Sequence, residues 1–339
     1  MIMFNTITQD QIQQLRQLAE KTGIKVEQVM RDDLSAALAG CDPLLAELLE
    51  YALFGGGKRI RPLLTILCSR LCGKDDEDLY LLGIAFEYLH VASLAHDDLI
   101  DNAEQRRGKP SLAAKYGRTA ALLAGDWLLS RSMRLIGRLT GSAGLDIFCR
   151  ATEGMVDGEF LQLRHTGQPG TTQAQYLDVI IRKTGNLIAS TCEIGALYAG
   201  AADACRKALR LYGEYLGTAF QIIDDVLDYQ GETKETGKAT GNDFLEGKMT
   251  LPLIQAMAAA TPDDQRRLLQ LICGDRTTTQ SYLQTKELIE HYNGLATAVT
   301  TAREFTAKAL DALARTKSED QVSQLMLQTL AVYIVIRKK

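Results

Sequence analysis

Apolar residues recur at intervals of three and four positions along nearly the whole chain, as in the series Leu79, Leu82, Phe86 and Leu89. This spacing places them on one face of an α-helix, whereas the alternation of polar and apolar residues that is typical of a strand is scarce. The pattern predicts roughly a dozen helices and essentially no sheet. The predicted helices cover residues 8–20, 32–53, 59–72, 76–101, 111–139, 143–165, 173–199, 202–229, 250–259, 263–273, 279–293 and 296–336, the last of them broken once.

Proline and glycine mark the expected breaks between these helices. Only six prolines occur in 339 residues and none follows Pro262, which favours long helices because proline interrupts them. None of the expected breaks is long enough to be a linker between domains. We therefore expect one all-α domain over residues 1–339, with a motif-bearing core at about 32–260 and further helices over 261–339. The breaks are expected at 55–57, 107–110, 167–170 and 230–247.

Composition and charge exclude several classes of function. The chain has 38 basic and 42 acidic residues, a formal net charge of −4, so no overall basic field points to nucleic acid. The absence of a run of eighteen uncharged apolar residues predicts no membrane span, and the N-terminal segment does not resemble a secretory signal. Seven scattered cysteines favour reduced thiols over a zinc site, so we expect a cytoplasmic protein.

An acidic cluster ends one of the apolar helices. Asp97 and Asp101 are four positions apart, so their carboxylates share one face of the helix. Asp98 lies about 100° around the helix, where it can act as an outer ligand or as a supporting acceptor. Like charges at the four-residue spacing repel unless a cation lies between them. A single cluster of this kind is more typical of a solvated helix end.

A second cluster repeats the geometry, with Asp224 and Asp228 on one face and Asp225 beside them. Both clusters follow strongly apolar helices, where carboxylates are rarely placed without a partner. Oxygen ligands with no histidine or cysteine around them suit Mg²⁺, which bridges carboxylates to phosphate oxygens. The two clusters together predict a substrate that carries a Mg²⁺-bound diphosphate.

Basic residues lie close to the acidic clusters in the sequence. A glycine turn over residues 55–57 precedes Lys58 and Arg61, one helical turn apart. A phosphate-binding P-loop is excluded because Ala52 and Arg59 stand where that loop needs glycine and serine or threonine. These cations are therefore candidates for holding a diphosphate in another way.

Two arginines and one histidine near the first acidic cluster each leave two interpretations open. Arg106 and Arg107 follow the cluster closely and could form surface ion pairs or bind a diphosphate through bidentate hydrogen bonds. His90 lies two helical turns before Asp97 on the same face, and its spacing fits anion binding and ordinary packing equally well. A histidine–aspartate phosphohydrolase is excluded because the other histidines are badly placed for its metal site.

An ordered set of motifs resembles the trans-isoprenyl diphosphate synthase family. The set is GGGKRIRP (55–62), HDDLIDNAEQRRGKPS (96–111), GEFLQL (158–163), RKTG (182–185), FQIIDDVLD (220–228) and GKATGNDFLEGKMTLPL (237–253). The resemblance implies a helical bundle of the isoprenoid synthase type with a central active-site cavity. It also implies a homodimer and the Mg²⁺-dependent, head-to-tail condensation of isopentenyl diphosphate onto an allylic diphosphate such as farnesyl diphosphate.

The resemblance assigns roles to residues at matching positions. It implies three Mg²⁺ ions, two at the first aspartate cluster (Asp97, Asp98, Asp101) and a third at Asp224 with Asp225 and Asp228 nearby. Isopentenyl diphosphate is expected on Lys58, Arg61, His90 and Arg107, and the allylic diphosphate on Arg106, Lys183, Lys238 and Lys248. Thr184 and Gln221 are expected to line the reaction centre, and the released pyrophosphate is the expected base.

Product length is expected to depend on the face of the helix that carries the first aspartates. Ala92 and Ser93 are small, whereas members of the family that make fifteen-carbon products have a large ring there, and Leu89 is at most a partial obstruction. Phe86 is the first aromatic residue on this face, about 16 Å from Asp97 along the helix. Met155 and Phe148 are further candidates for the bottom of the tunnel. We expect a product longer than twenty carbons, most plausibly near forty, for a quinone side chain.

Three alternatives remain at this point. A short-chain synthase that makes farnesyl or geranylgeranyl diphosphate is the nearest, because tunnel floors depend on packing. A terpene cyclase would replace the second aspartate cluster and would not need Lys58 and Arg61 for a second diphosphate. A non-catalytic regulatory subunit would have lost one aspartate cluster. The apolar C-terminal stretch 331–336, with its basic end 337–339, is expected to pack on the bundle; a contact with a membrane or with an active-site lid is the other interpretation.

Overall fold

The computed structural model of the protein describes residues 7–230 and 241–337, which form a helical bundle with one small hairpin. The helices are α1 (Gln9–Ala37), α2 (Pro43–Leu53), α3 (Ile60–Leu71), α4 (Asp78–Ile100), α5 (Leu112–Tyr116), α6 (Arg118–His165), α7 (Gln173–Ile180), α8 (Asn186–Tyr198), α9 (Asp203–Gln230), α10 (Asn242–Leu245), α11 (Leu251–Ala259), α12 (Pro262–Cys273), α13 (Thr279–His291), α14 (Gly294–Leu313) and α15 (Gln321–Ile336). A π-helical turn (Ile181–Gly185) joins α7 to α8. The hairpin pairs β1 (Gln105–Arg106) with β2 (Lys109–Pro110) in antiparallel fashion. The all-α prediction is confirmed.

Side chains in the sequence fix several helix starts. Thr8 and Thr172 each form a reciprocal capping box, with Gln11 and Gln175 respectively, which satisfies backbone N–H groups that have no partner inside the helix. The Thr261 hydroxyl caps α12, whose first residue is a proline that needs no N–H partner. Local chemistry therefore determines where these helices begin.

The predicted boundaries are wrong in the N-terminal region. Helix α1 continues without a break from Gln9 to Ala37, where a gap was expected between residues 20 and 32, and the predicted helix 32–53 is interrupted before Pro43. The physical reason for the continuity of α1 is packing, since Val26 and Met30 are fully buried. Later breaks agree better. Helix α6 kinks at Gly141, which has a φ of +66° that glycine adopts easily, and the final helical region breaks between α14 and α15.

Two clusters of buried apolar side chains fill the bundle. One lies among α3, α8, α9, α11, α14 and α15, and the other lies among the C-terminal half of α1, α2, α4 and α6. Helix α8 contacts α3, α6 and α9 and so joins the two halves. The acidic clusters end α4 and α9, the central helices of the two halves, so the packing brings them toward one end of the bundle.

Helix α4 is the one helix in the described ranges that is long and apolar enough, by length and composition alone, to cross a membrane. Within the fold, 72% of its apolar window is buried against other helices, so it forms part of the core of the bundle. Helix α15 is also largely buried, against α1, α3, α9 and α14. The C-terminal stretch therefore packs on the bundle as expected up to Arg337; Lys338 and Lys339 lie outside the described residues.

Candidate active site

The first acidic cluster occupies the C-terminal end of α4, where the helix dipole places partial negative charge. Asp98 is buried and already paired: Arg106 donates from Nε to its two oxygens at 2.8 and 2.9 Å and approaches from Nη2 at 2.6 Å. The hairpin β1–β2 brings Arg106 back onto α4 for this contact. Of the two roles open to Asp98 in the sequence, its geometry favours the supporting acceptor.

Asp97 and Asp101 have a different environment. Burial raises the pKa of both carboxyls, and the nearby Glu159 raises them further. Lys183 and Lys248 oppose this rise in pKa, Lys248 at Asp101. Carboxylates that lie close to other acids at the negative end of a helix favour a bound cation.

The second acidic cluster lies near the C-terminal end of α9, and its three carboxylates play different parts. Asp225 is buried and accepts hydrogen bonds from Tyr176 Oη at 2.6 Å and Gln221 Nε2 at 2.9 Å; burial raises its pKa to about 7. Asp228 Oδ2 accepts the backbone N–H of Asp243 at 3.1 Å, although burial raises the pKa of Asp228 as well. Asp224 is exposed.

The donor set fits Mg²⁺ on its chemistry. Among residues 7–230 and 241–337, no three histidine, cysteine or carboxylate side chains converge closely enough to hold a metal alone. Mg²⁺ keeps several waters and usually takes one or two carboxylates together with substrate phosphate oxygens, so it does not need a complete protein cage. Burial is the main cause of the raised pKa values of Asp97, Asp101 and Asp228, and a bound cation would oppose that rise. Such a pair of clusters is suited to a metal that arrives with a diphosphate.

The π-helical turn presents two adjacent polar residues to the site. Lys183 forms an ion pair with Glu159 of α6 and lies 3.4 Å from Gln162 Oε1, and Thr184 donates from Oγ1 to Gln221 Oε1 at 3.0 Å. A π turn holds one more residue than an α turn, and such turns frequently occur at functional sites. The turn therefore brings Thr184 into contact with Gln221, the two residues that the resemblance expects at the reaction centre, and Lys183 lies next to Thr184 in the sequence.

Close packing of α6 against the π turn depends on Gly158. A Cβ atom built at this position would lie 2.7 Å from the backbone nitrogen of Lys183 and 3.1 Å from its Cα. Only a residue without a side chain permits this approach. The glycine of the GEFLQL motif thereby sets the position of the turn that carries Lys183 and Thr184.

A cavity of about 110 Å³ lies between the π turn, α9 and the segment around α10. Its lining includes Lys183, Thr184, Gln221, Asp225, Asp243 and Lys248. Lys248 forms ion pairs with Glu246 and, at 3.7 Å, with Asp243, and these acids raise its pKa against the effect of burial. Lys238, the remaining expected contact of the allylic diphosphate, lies outside the described residues.

A cluster of cations lies around the glycine turn and α4. Arg107 donates to the backbone oxygen of Gly56, and Arg61 has no side-chain hydrogen bond or ion pair to any residue in the described ranges; its Nε is buried without a partner. Burial and the positive charge of Arg61 and Arg107 lower the pKa of His90 well below its ordinary value, so the imidazole is neutral. Lys58 is exposed and lines a groove of about 430 Å³ between α1, α3 and α15.

The residues expected to control product length lie on the buried part of α4. Phe86, Leu89 and Ala92 are buried, and Ser93 is half-buried and donates to the His90 backbone oxygen at 2.9 Å. Phe148 of α6 lies against Phe86, with ring centroids 5.9 Å apart. Two of the proposed floor residues therefore form one aromatic contact between α4 and α6.

Several residues that shape the site were not assigned by the sequence. Arg59, Glu159 and Asp243 lie inside recognised motifs, so their position gave a signal that the spacing of the aspartates alone did not. Tyr176 and Glu87 carry no such signal, because only the fold brings them to Asp225 and Arg59.

Residues 42–292 match the sequence model of the polyprenyl synthetase family. The chain belongs to this family. The octaprenyl diphosphate synthase of Haemophilus influenzae is 36% identical over 304 residues, 89% of this chain and 90% of that protein. The nonaprenyl diphosphate synthase of Mycobacterium tuberculosis is 35% identical over 298 residues, 87% of each chain.

A solved polyprenyl synthetase structure agrees with the fold throughout. The polyprenyl synthase from Caulobacter crescentus CB15, complexed with calcium and isoprenyl diphosphate, has a TM-score of 0.88 at 35% identity and covers 97% of this chain and 98% of that one. Prenyl diphosphate synthases act on isopentenyl and allylic diphosphates and are generally Mg²⁺-dependent. This polyprenyl synthetase is a trans-prenyltransferase, and its relatives support the long-chain class more than the short-chain alternative.

Proposed function

We propose that the protein condenses isopentenyl diphosphate onto an allylic diphosphate and makes an all-trans polyprenyl diphosphate longer than twenty carbons, near forty. The observation that supports this most is that two separate groups of charged side chains are each suited to hold a diphosphate. One combines the acidic clusters with Lys183 and Lys248, and the charge of Lys248 acts on both clusters, since it opposes the rise in pKa that burial causes at Asp101 and at Asp225. The other contains the unpaired Arg61. A terpene cyclase has no use for the second surface.

The acidic surface is proposed to hold three Mg²⁺ ions together with the allylic diphosphate. Asp97 and Asp101 at the end of α4, and Asp224 and Asp228 on α9, are the proposed direct ligands; Asp224 also forms an ion pair with Arg337 at 3.7 Å. Asp98 and Asp225, also expected at the metal site, are engaged by Arg106 and by Tyr176 with Gln221, and on this geometry they support their neighbours. When bound, the metal supplies Lewis-acid stabilisation of the departing pyrophosphate.

The protein's own residues bind and orient the allylic substrate. Lys183, Lys248 and Arg106 are proposed to contact its diphosphate, and each of them forms an ion pair with a neighbouring acid: Glu159, Glu246 and Asp98 respectively. The oxygens of Thr184 and Gln221 lie 3.0 Å apart and offer lone pairs to positive charge that develops on the allylic carbon. The bulk of the surrounding core is apolar, which excludes water from the carbon that reacts.

Isopentenyl diphosphate is proposed to bind to the cluster of cations. Arg61 and Arg107 offer guanidinium groups suited to bidentate binding of a phosphate, and Lys58 adds an exposed ammonium. His90 is neutral and therefore contributes a hydrogen bond rather than charge. The released pyrophosphate is proposed to accept the proton that is lost after condensation, since no side chain stands out as a base.

The product is proposed to grow along α4, past Ser93, Ala92 and Leu89 and toward Phe86 and Phe148. Small side chains near the aspartates leave room for growth, and the contact between the two aromatic rings is the proposed floor. Met155 is half-buried in the same apolar cluster and remains a candidate. A product of this length suits a quinone side chain.

A homodimer is proposed on the basis of α6. This helix exposes large apolar side chains, and Val156, Phe160 and Leu163 share one face of it at helical spacing. Phe160 is 66% exposed, which is unusual for a phenylalanine in a monomer. A second copy of the chain would cover this face. The proposed location is the cytoplasm, with at most peripheral contact with a membrane.

The proposed function is tested by incubating the purified protein with Mg²⁺, farnesyl diphosphate and labelled isopentenyl diphosphate, and by sizing the products after dephosphorylation. We expect a ladder that ends beyond twenty carbons. Products that stop at twenty would contradict the long-chain assignment and place the floor near Leu89. No incorporation with any allylic primer by a folded dimer would refute the enzyme and favour a regulatory subunit or a cyclase.

A further inference from the structure

Arg59 is buried at the start of α3, in the middle of the segment that carries Lys58 and Arg61. Its backbone has a φ of +48°, in the left-handed region that non-glycine residues seldom adopt. Its guanidinium donates to Glu87 Oε1 at 2.6 Å, to Glu27 Oε1 at 2.9 Å and to the backbone oxygen of Leu53 at 2.7 Å. Arg59 therefore ties the end of α2, helix α1 and helix α4 to the segment between α2 and α3.

Glu87 is a buried acidic residue next to the cation cluster. It lies on α4 one turn before His90, and its side chain is 3% exposed. Burial lowers the pKa of Arg61 and of Arg107, and Glu87 opposes this lowering in both, so its charge acts on all three arginines. Among the residues that the structure describes, Glu87 forms an ion pair with Arg59 alone.

Because Glu87 pairs with Arg59, Arg61 remains available to a ligand. A buried carboxylate attracts any guanidinium within reach, and Arg61 would pair with Glu87 if Arg59 did not occupy it. With Glu87 neutralised, Arg61 keeps its hydrogen-bond donors for a ligand, and its Nε is buried without a partner. Guanidinium donors without a partner next to Arg107 are suited to an incoming phosphate.

We propose that Arg59 is a positioning residue for isopentenyl diphosphate, which by its ion pair with Glu87 holds the segment 55–61 in place and keeps Arg61 free for the diphosphate. This role rests on the proposed function, since it names the substrate that the free arginines receive. It predicts an effect on one substrate only, because the allylic diphosphate surface lies with Lys183 and Lys248.

A purely structural ion pair is the competing explanation, and the chain contains a matched control. Arg131 of α6 forms a comparable buried pair with Asp33 of α1, at 3.1 Å from Nε to Oδ2, and Asp33 also accepts from Tyr88 at 3.0 Å. Neither partner lies in the proposed site. Arg131→Gln therefore measures what the loss of a buried ion pair does to the fold alone.

The test compares Arg59→Gln, the double variant Arg59→Gln/Glu87→Gln and Arg131→Gln with the parent protein. The readouts are the Kd for isopentenyl diphosphate by calorimetry, the KM for each substrate, and Tm. Arg59→Gln is expected to weaken isopentenyl diphosphate binding on the order of 10-fold to 100-fold, because a cation is lost and Glu87 captures Arg61. The KM for farnesyl diphosphate should stay within about threefold.

The double variant separates charge from structure. It removes both charges of the buried pair and leaves no unpaired carboxylate at position 87, so it should fold even if the single variant does not, and it should recover most of the isopentenyl diphosphate affinity. Arg131→Gln should lower Tm and leave that affinity unchanged. The proposal is overturned if Arg59→Gln lowers only Tm, or if the double variant binds as weakly as the single one.

The calorimetry also distinguishes this proposal from the proposed function. A parent protein that binds isopentenyl diphosphate but condenses it with no primer would refute the enzyme, while the Kd values of the variants would still decide the role of Arg59. A parent protein that does not bind isopentenyl diphosphate would overturn both.

Discussion

Replacement of Gly158 with alanine tests how closely the π turn must be held. The added Cβ would lie 2.7 Å from the Lys183 backbone nitrogen and 3.0 Å from Arg182 Cβ, whereas ordinary contacts begin at 3.4 Å. The Lys183 nitrogen belongs to the backbone and the Arg182 Cβ is attached directly to it, so neither atom can rotate away. The turn that carries Lys183 and Thr184 must therefore move by about 0.7 Å.

A displacement of this size is large for catalysis and moderate for stability. A misplacement of about 1 Å can cost on the order of 100-fold in rate, so we expect kcat to fall by about 30-fold to 100-fold. Overpacking by one methyl group typically costs about 1–3 kcal/mol, so the protein should still fold. Steady-state rates with farnesyl and isopentenyl diphosphates, together with thermal unfolding, measure the two effects separately.

Gly137→Ala is the matched control on the same helix. A Cβ there would contact only Leu145 Cδ2, at 3.7 Å, which is an ordinary contact. This substitution should raise helix stability by up to about 1 kcal/mol and leave kcat unchanged. The reasoning would be refuted if Gly158→Ala kept full activity, or if both alanines lowered kcat equally.

Three further predictions concern product length, ionisation and assembly. Ser93→Phe should shorten the product sharply, because a ring would close the path one turn from the aspartates; an unchanged ladder by chromatography would contradict that path. His90 should not titrate by NMR between pH 6 and 8, since burial among four arginines holds its pKa well below the ordinary value. The unfolded chain takes up this proton near pH 6.5, so the stability that neutral His90 contributes is present above that pH and lost as pH falls below it; a ring that titrates near 6.5 would contradict this. Phe160→Glu should yield monomers by light scattering because it places a charge in the proposed dimer face, whereas Leu283→Glu, at an exposed leucine of α13, should not; dimers in both variants would remove α6 as the interface.

The helical architecture could be predicted from the sequence because three- and four-residue spacing reports directly on a buried helix face. Boundaries were less predictable. Gly23 disfavours the interior of a helix, yet burial of Thr22 and Val26 keeps α1 continuous. The start of α2 has a local signal, an Asp42 cap followed by Pro43, and the prediction of one long helix over 32–53 did not use it.

The acidic clusters could also be predicted, since helical spacing alone places Asp97 with Asp101 and Asp224 with Asp228. The different roles of the carboxylates within each cluster could not be predicted. The pairing of Asp98 with Arg106 depends on the turn of the β1–β2 hairpin, and that of Asp225 depends on how α7 packs beside α9. The π turn was not foreseen either, because it is set by tertiary contacts and not by local propensity.

The π turn also makes the number of residues between Tyr176 and Gly195 critical. Its extra residue rotates α8 by about 100° relative to an uninterrupted helix. Both flanks are pinned: Tyr176 is bonded to Asp225, and Gly195 faces the Thr65 backbone oxygen, which a Cβ would approach to 2.6 Å. A deletion or insertion between them would turn either Lys183 or the buried face of α8 away from its partners. Surface loops in such a protein can change length between species, but the interval from 176 to 195 should accept substitutions only.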